Sequence, residues 1–232
     1  MKVAKAKPPL SDYRKVITDT RTSRPLDPKG VFCYDYFITK RQAMSSILCH
    51  LGDPRTAKPA SLAEYGKLRE RMIQRPWTSL SEAEFVTAIT QQGRPFYQGL
   101  MQGGDLMELQ FEKLVWRTQT LVGLDFDVCE VGGWEMLLTF ANMGLQPMLG
   151  YHTFSHNPDN GGESYRLIWR VETDLNLTYD ECAKALKKMR VLSGNLSDKN
   201  AANPTRMWQG TTKGAFCYNA ESTRLNLKEL AK

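Results

Sequence analysis

The stretch from Leu121 to Asp127 constrains the fold of this chain more than any other. It reads Leu-Val-Gly-Leu-Asp-Phe-Asp, an apolar run that ends in two acids separated by one aromatic residue. Residues two apart in an extended strand point to the same side and lie roughly 7 Å apart. The run therefore predicts a strand that presents Asp125 and Asp127 together at its end, while Phe126 packs into the core on the opposite face.

Two carboxylates at the end of so apolar a strand are costly unless their charge is compensated. A hard cation such as Mg²⁺ or Mn²⁺ compensates them with oxygen ligands. Asp125 and Asp127 are therefore candidate metal ligands, and an ordinary strand terminus that enters a polar turn is the alternative.

The pattern of the remaining chain predicts a mixed α/β or α+β domain. Aromatic and β-branched runs predict strands at residues 31–39, 114–127, 148–155 and 165–171, and short strands between residues 196 and 218. Helical spacing and capping residues predict helices at residues 39–51, 61–74, 81–93, 134–142 and 178–192. In the strand at 165–171, alternation places Arg166 and Arg170 on one face, so both side chains are expected toward water, a cleft or a ligand.

Composition indicates the size of the domain, the expected cellular location and the kind of side chain that could bind a metal. The chain has 232 residues, of which 41% are apolar, so it can bury the core of one substantial domain, alone or with a helical appendage. No apolar run approaches the roughly 20 residues of a membrane span, and no secretory signal is recognised, so we expect a cytoplasmic protein. The five cysteines form no CxxC pair and the three histidines are scattered, so any metal is expected to rest on carboxylates.

The net charge of +6 suits an anionic partner such as a nucleic acid. Lysines and arginines crowd two places, the proline-containing segment at residues 1–30, which we expect to form an arm, and the predicted helix at 178–192. Solvated faces are the alternative for both clusters.

Residues further along the chain could complete a phosphoryl-transfer site. Such a site needs cations for a triphosphate and usually a third carboxylate. The candidates come in short segments: Ser155 and His156 at the end of one predicted strand, Ser164 and Arg166 at the start of the next, Asp198 and Arg206 around a turn, and Lys213.

In this order the motifs resemble the catalytic domain of the archaeo-eukaryotic primase superfamily, and more narrowly the primase-polymerase domains of plasmid, phage and other mobile-element replication proteins. The resemblance runs from about residue 81 to residue 210, over half of the chain. The family's first motif, a strand-borne DxD, falls on Asp125 and Asp127. Its third motif, an acid with a basic residue some eight positions on, falls on Asp198 and Arg206.

The second motif departs from the family's form. The family has a small residue, any residue and then a histidine, whereas alignment on the strand start places Ser164, Tyr165 and Arg166 there, with arginine in place of histidine. His156 lies ten residues before Arg166, beside Ser155. Either side chain could face the phosphates of a nucleotide, and Arg166 would do so without titrating near neutral pH.

The resemblance implies an α+β fold. An RNA-recognition-module-like mixed sheet would form the catalytic core, beside a smaller α/β or helical N-terminal subdomain. Residues 1–30 would be a basic, proline-containing arm and residues 31–232 the catalytic domain, divided into an N-terminal subdomain at 31–110 and a core at 111–220.

The resemblance also implies template-dependent nucleotidyl transfer, by a DNA primase or DNA polymerase, in the replication of a plasmid, phage or mobile element. Asp125, Asp127 and Asp198 would hold two Mg²⁺ or Mn²⁺ ions. The phosphates of the nucleotide would be bound by polar and basic side chains, Ser155, His156, Ser164, Arg166, Arg206 and Lys213. The template backbone would be bound by the basic helix, through Lys184, Lys187, Lys188 and Arg190.

The implied partners are a single-stranded DNA template with its primer and a nucleoside or deoxynucleoside triphosphate. No Walker A phosphate loop occurs in the chain. A replicative helicase would therefore lie on another chain or in a missing C-terminal region.

Two other functions stay open. A non-catalytic nucleic-acid-binding replication module on a degenerate primase fold would explain the missing histidine of the second motif, although all three acids are retained. A glycosyltransferase would explain the DxD pair, but not the acid-to-arginine segment that begins at Asp198 or the basic helix.

Overall fold

The computed structural model describes residues 46–101, 116–172, 174 and 176–232. Its strands in chain order are β1 (Ile47–Cys49), β2 (Thr78–Leu80), β3 (Phe96–Tyr97), β4 (Gly99–Met101), β5 (Trp116–Gln119), β6 (Leu121–Cys129), β7 (Leu149–His152), β8 (Glu163–Val171), β9 (Met207–Trp208), β10 (Ala215–Tyr218) and β11 (Arg224–Leu225). The α-helices are α1 (Leu62–Gln74), α2 (Glu82–Thr90), α3 (Gly133–Asn142), α4 (Tyr179–Leu192) and α5 (Leu227–Leu230).

Strand β8 lies at the centre of the main sheet. It pairs antiparallel with β6 and with β7, β10 pairs antiparallel with β7, and β11 runs parallel to the end of β8. The consecutive elements β6, α3, β7, β8 and α4 form a strand-helix-strand-strand-helix unit whose first strand pairs with its third. This is the start of the ferredoxin-like order, and the predicted α+β class with a mixed sheet is confirmed.

Local capping chemistry explains where three of the helices begin. Ser81 and Thr178 each accept a hydrogen bond from the amide three residues later, and the glutamate at that position reaches back to the amide of the capping residue. Ser61 caps α1 in the simpler way, through the Glu64 amide. The predicted helices at 61–74, 81–93, 134–142 and 178–192 are all present, within a few residues of their expected ends.

One face of the sheet buries charge, which the sequence did not predict. Arg166 and Arg170 are buried there instead of facing water or an open cleft. Arg170 forms an ion pair with Glu82 of α2 and donates to the backbone carbonyl of Ala220 (3.0 Å). The expected arginine face exists, but α2 and the segment that contains β9 cover it.

The opposite face of the sheet is apolar and aromatic. Phe126 stacks on Tyr165 with ring centroids 4.6 Å apart, and Phe140 of α3 packs edge-on against Trp169 at 4.8 Å. Phe126 is fully buried, as predicted from the alternation in the first acid motif.

Small strand pairs complete the described residues. β1 pairs with β2, β4 with β5 and β3 with β9, all antiparallel. The helix predicted at 39–51 is wrong at its end, because residues 47–49 form β1, whose register with β2 satisfies their backbone groups.

Several predictions lie outside the described residues: the arm at 1–30, the strand at 31–39 and the beginning of the strand at 114–127. The division into subdomains at 31–110 and 111–220 stays a prediction. Across the described ranges, no helix is long and apolar enough to cross a membrane.

Candidate active site

The candidate site lies at the end of β6, where a β-bulge interrupts the pairing with β8. Asp125 lies opposite Arg166, Phe126 opposite Tyr165, and the register then shifts before Cys129. Asp127 and Val128 therefore share one position of the partner strand, which is the arrangement of a bulge.

Backbone strain marks the same place. Val128 has a φ of 46°, in the left-handed region that a β-branched residue rarely adopts. Its amide donates a hydrogen bond to the hydroxyl of Ser164 (3.0 Å), because the bulge has removed it from the regular ladder. Ser164 thus supports the bulged backbone beside Asp127.

The bulge gives the two acids of the first motif different surroundings. Asp125 is only 6% exposed and faces Arg166 inside the sheet, whereas Asp127 is exposed. Although Asp127 is exposed, partial desolvation by the surrounding protein raises its pKa, and the negative charges of Asp125 and Asp198 raise it further. Asp127 therefore lies in a region of concentrated negative charge, which a bound cation would relieve.

The third predicted acid comes to the same strand end from a distant part of the chain. The amide of Asp198 donates to the backbone carbonyl of Asp125 (2.8 Å). Its carboxylate caps a short 3₁₀ helix, Lys199–Ala202, by accepting from the amide of Asn200 (3.1 Å). It also pairs with Arg206, 3.7 Å from Nη2 to Oδ2. The acid and the arginine of the third motif are therefore close together.

Arg166 is held by three acceptors and is 4% exposed. Its Nη2 donates to Oδ1 of Asp125 (2.6 Å), and its Nη1 donates to the hydroxyl of Tyr151 (2.9 Å) and the carbonyl of Gln209 (2.6 Å). The guanidinium also lies 4.4 Å from the ring centroid of Trp208. Burial alone would lower the pKa of Arg166, but the Asp125 carboxylate and these hydrogen bonds outweigh it, so the side chain stays charged.

The other predicted phosphate ligands surround the loop at residues 153–156. His156 accepts a hydrogen bond at Nδ1 from the amide of Ser164 (3.2 Å), so the neutral ring carries its proton on Nε2. Its ring stacks on His152, with centroids 4.1 Å apart. Burial lowers the pKa of His156, and the nearby His152 and Lys213 lower it further, which favours this neutral donor form.

Two lysines contact the same loop. Lys213 donates from Nζ to the carbonyls of His156 (2.5 Å) and Phe154 (3.3 Å). Lys58 donates from Nζ to the hydroxyl of Ser155 (2.8 Å). Lys58 was missed in the sequence, because it lies in a turn-rich segment with no recognisable motif; only the fold brings it here.

The predicted nucleic-acid contacts on α4 divide into two groups. Lys184, Lys187 and Lys188 are exposed on the helix surface. Arg190 instead donates to the carbonyl of Ser197 (3.1 Å) and to Oδ1 of Asn195 (3.0 Å), so it stabilises the loop after the helix.

The donor chemistry of the three acids fits a hard divalent cation, since such ions prefer carboxylate oxygens. In the described ranges, however, no three His, Cys, Asp or Glu side chains are gathered as a metal centre. Oδ1 of Asp125 is engaged by Arg166, and the carboxylate of Asp198 by Asn200 and Arg206. To bind an ion jointly, Asp198 would have to exchange these contacts for it.

No protein family and no curated protein matches the chain. Among solved structures, the chain is similar to the AEP domain of the primase-polymerase of cyanophage S-2L, with 14% sequence identity and a TM-score of 0.43. The similarity covers 78% of this chain and 86% of that chain. At this level of similarity, the function of this chain has to be inferred from its own side chains.

Proposed function

We propose that the chain carries a metal-dependent nucleotidyl-transfer site of the primase-polymerase kind at Asp125, Asp127 and Asp198. The observation that carries this proposal is the backbone hydrogen bond from Asp198 to Asp125, which joins the third acid to the bulged end of β6. The raised pKa of Asp127 responds to both of these acids, so all three charges act on one small region.

The acids would hold Mg²⁺ or Mn²⁺, which when bound activates an attacking hydroxyl and neutralises charge on the leaving pyrophosphate. The fold contributes by bringing these three acids to the end of β6. The bulge directs Asp127 outward, while Asp125 stays inside the sheet and leaves its second oxygen, Oδ2, outside the Arg166 contact.

The basic side of the site would bind the triphosphate of the incoming nucleotide. His156 can donate from Nε2, the hydroxyl of Ser155 lies on the same loop, and Lys213 contacts this loop through the carbonyl of His156. Hydrogen bonds from charged donors to phosphate oxygens are shorter and stronger than neutral ones. We assign the phosphate role of the second motif to His156, because Arg166 already has three acceptors and is buried.

Arg166 then takes the role of a positioning residue. It neutralises Asp125 on the inner side and fixes the direction of that carboxylate. A histidine at this position would titrate near neutral pH, whereas an arginine keeps its charge.

Incorporation of labelled nucleotides tests the proposal. Wild-type protein is incubated with primed and unprimed single-stranded DNA, Mg²⁺ or Mn²⁺, and nucleoside or deoxynucleoside triphosphates. We expect metal-dependent products that Asp127→Asn and Asp198→Asn each reduce at least about 100-fold, because each removes a ligand charge. Glu221→Gln removes an exposed acid outside the site and should leave incorporation unchanged.

A non-catalytic nucleic-acid-binding module is the second candidate. The ion pair between Asp125 and Arg166 favours it, since it already satisfies one acid of the site without a metal. Tight binding of single-stranded DNA with no incorporation under any of these conditions would establish this candidate and exclude the first. Products that survive in the acid variants would place the activity at another site.

A further inference from the structure

We infer that Lys58 is a further phosphate-binding residue of the proposed site, where it contacts the terminal phosphates of the incoming nucleoside triphosphate. The inference rests on the proposed function and adds a residue from outside the motifs. It assigns to the segment before α1 a part in nucleotide binding.

The first observation is the position of Lys58. Its Nζ donates to the hydroxyl of Ser155 (2.8 Å), while Lys213 donates to the carbonyls of Phe154 and His156 in the same loop. Two ammonium groups from segments far apart in the sequence thus meet at one four-residue loop. That loop also carries His156, the proposed hydrogen-bond donor to the phosphates.

The second observation is that Lys58 forms no ion pair with a carboxylate within residues 46–101, 116–172, 174 and 176–232; its hydrogen bond there goes to a neutral hydroxyl. An exposed ammonium whose hydrogen bond goes to a neutral hydroxyl can bind an anionic oxygen without breaking an ion pair. Charge-assisted hydrogen bonds to phosphate are stronger than bonds to a hydroxyl, so a phosphate would displace Ser155 or share Lys58 with it.

The third observation connects the loop to the acids. The hydroxyl of Ser164 accepts a hydrogen bond from the amide of Val128, the neighbour of Asp127 (3.0 Å), and the amide of Ser164 donates to Nδ1 of His156 in the loop (3.2 Å). A ligand that extends from Asp127 to this loop would therefore meet Lys58 and Lys213 there. A triphosphate has this extended, multiply charged form.

The segment that carries Lys58 is anchored to the rest of the molecule. The amide of Gly52 donates to the carbonyl of Pro95 (2.8 Å), and the amide of Arg55 donates to the carbonyl of Gln92 (2.9 Å). Arg55 also forms an ion pair with Glu64 of α1. The ammonium is therefore exposed on a backbone that is held in place, which suits a residue that meets a ligand.

Phosphate oxygens could come from the nucleotide or from the DNA backbone, and two measurements separate these sources. The Michaelis constant for dATP and for ATP reports the nucleotide. The dissociation constant for a primed template, measured without nucleotide, reports the backbone. The variants are Lys58→Ala, Lys58→Arg and, as a matched control, Lys67→Ala, which removes an exposed lysine of α1.

We expect Lys58→Ala to raise the Michaelis constant about 10-fold or more, the size of one hydrogen bond to a charged group. Lys58→Arg should recover much of this loss, and the affinity for primed template should stay at the wild-type value. An unchanged Michaelis constant in Lys58→Ala overturns the inference, as does weaker template binding with an unchanged Michaelis constant, which would make Lys58 a backbone contact.

If wild-type protein incorporates no nucleotide, the proposed activity is refuted. Equilibrium binding of a fluorescent ATP analogue in the presence of Mn²⁺ then tests the role of Lys58 separately. Lys58 would still be confirmed if Lys58→Ala, but not Lys67→Ala, weakened binding of the analogue. Equal binding by wild type and Lys58→Ala, or no binding by either, would refute the role of Lys58.

Discussion

Replacing Arg166 by methionine should destabilise the protein and at the same time make it more responsive to metal. The substitution introduces an apolar side chain of similar length but leaves the Asp125 carboxylate buried without its partner. Breaking one side of a buried ion pair costs about 3–5 kcal/mol. In a chain of this size, that loss corresponds to a fall in the melting temperature of roughly 6–20 °C.

Mn²⁺ should restore part of this loss. A carboxylate that has lost Arg166 is a better ligand for a cation, so Arg166→Met should bind Mn²⁺ more tightly than wild type. A metal at about 100 times its dissociation constant adds about 2.7 kcal/mol to the stability of the folded state. The increase in melting temperature on addition of Mn²⁺ should therefore be larger in Arg166→Met than in the wild type.

Arg170→Met is the matched control, because Arg170 pairs with Glu82 on the same sheet face and both side chains are buried. It should lose a comparable amount of stability. Its response to Mn²⁺ should equal that of the wild type, since no acid of the proposed site is exposed by the change. Thermal denaturation followed by circular dichroism measures all three proteins with and without the metal, and equal Mn²⁺ shifts in the two variants would refute Asp125 as a metal ligand.

Two further predictions concern the same strand. Gly123→Ala should destabilise the protein by about 1–3 kcal/mol, because a Cβ there would lie 2.8 Å from Nε1 of Trp208 and the packed interior has no space for it; chemical denaturation measures the loss. Asp127→Asn should stabilise the metal-free protein at neutral pH. Burial and neighbouring acids raise the pKa of Asp127, so the folded state binds a proton more tightly than the unfolded chain and stability falls as pH rises from the ordinary carboxyl value through the raised one. The denaturation midpoint of Asp127→Asn should therefore exceed that of the wild type by more at pH 7 than at pH 4, and a lower midpoint for the variant at pH 7 would contradict this explanation.

Features that depend on neighbours in sequence could be predicted. The capping pairs Ser81 with Glu84 and Thr178 with Glu181 act within one helical turn, so their residues alone indicate where α2 and α4 begin. The position of Phe126 in the core could also be predicted, because successive side chains point to opposite faces in any strand.

Features that depend on distant partners could not be predicted. The burial of Arg170 depends on Glu82, and nothing near either residue indicates the other. The bulge was also hidden, since valine is among the residues least suited to a positive φ and Val128 gives no turn signal. As a result, the sequence predicted two equivalent carboxylates, whereas the structure has one buried and one exposed.

The ion pair between Asp125 and Arg166 bears on why an acid occupies position 125 at all. Replacing a buried ion pair by apolar residues of similar volume is often neutral or stabilising. Fold stability therefore does not require a charge at this point of the sheet, where the surrounding residues of β6 are apolar. Asp125 instead has two further acids as neighbours: Asp127, two residues further along the bulged strand, and Asp198, whose amide donates to the carbonyl of Asp125. A carboxylate held charged by an arginine and placed beside Asp127 and Asp198 is what the proposed metal site would require at position 125.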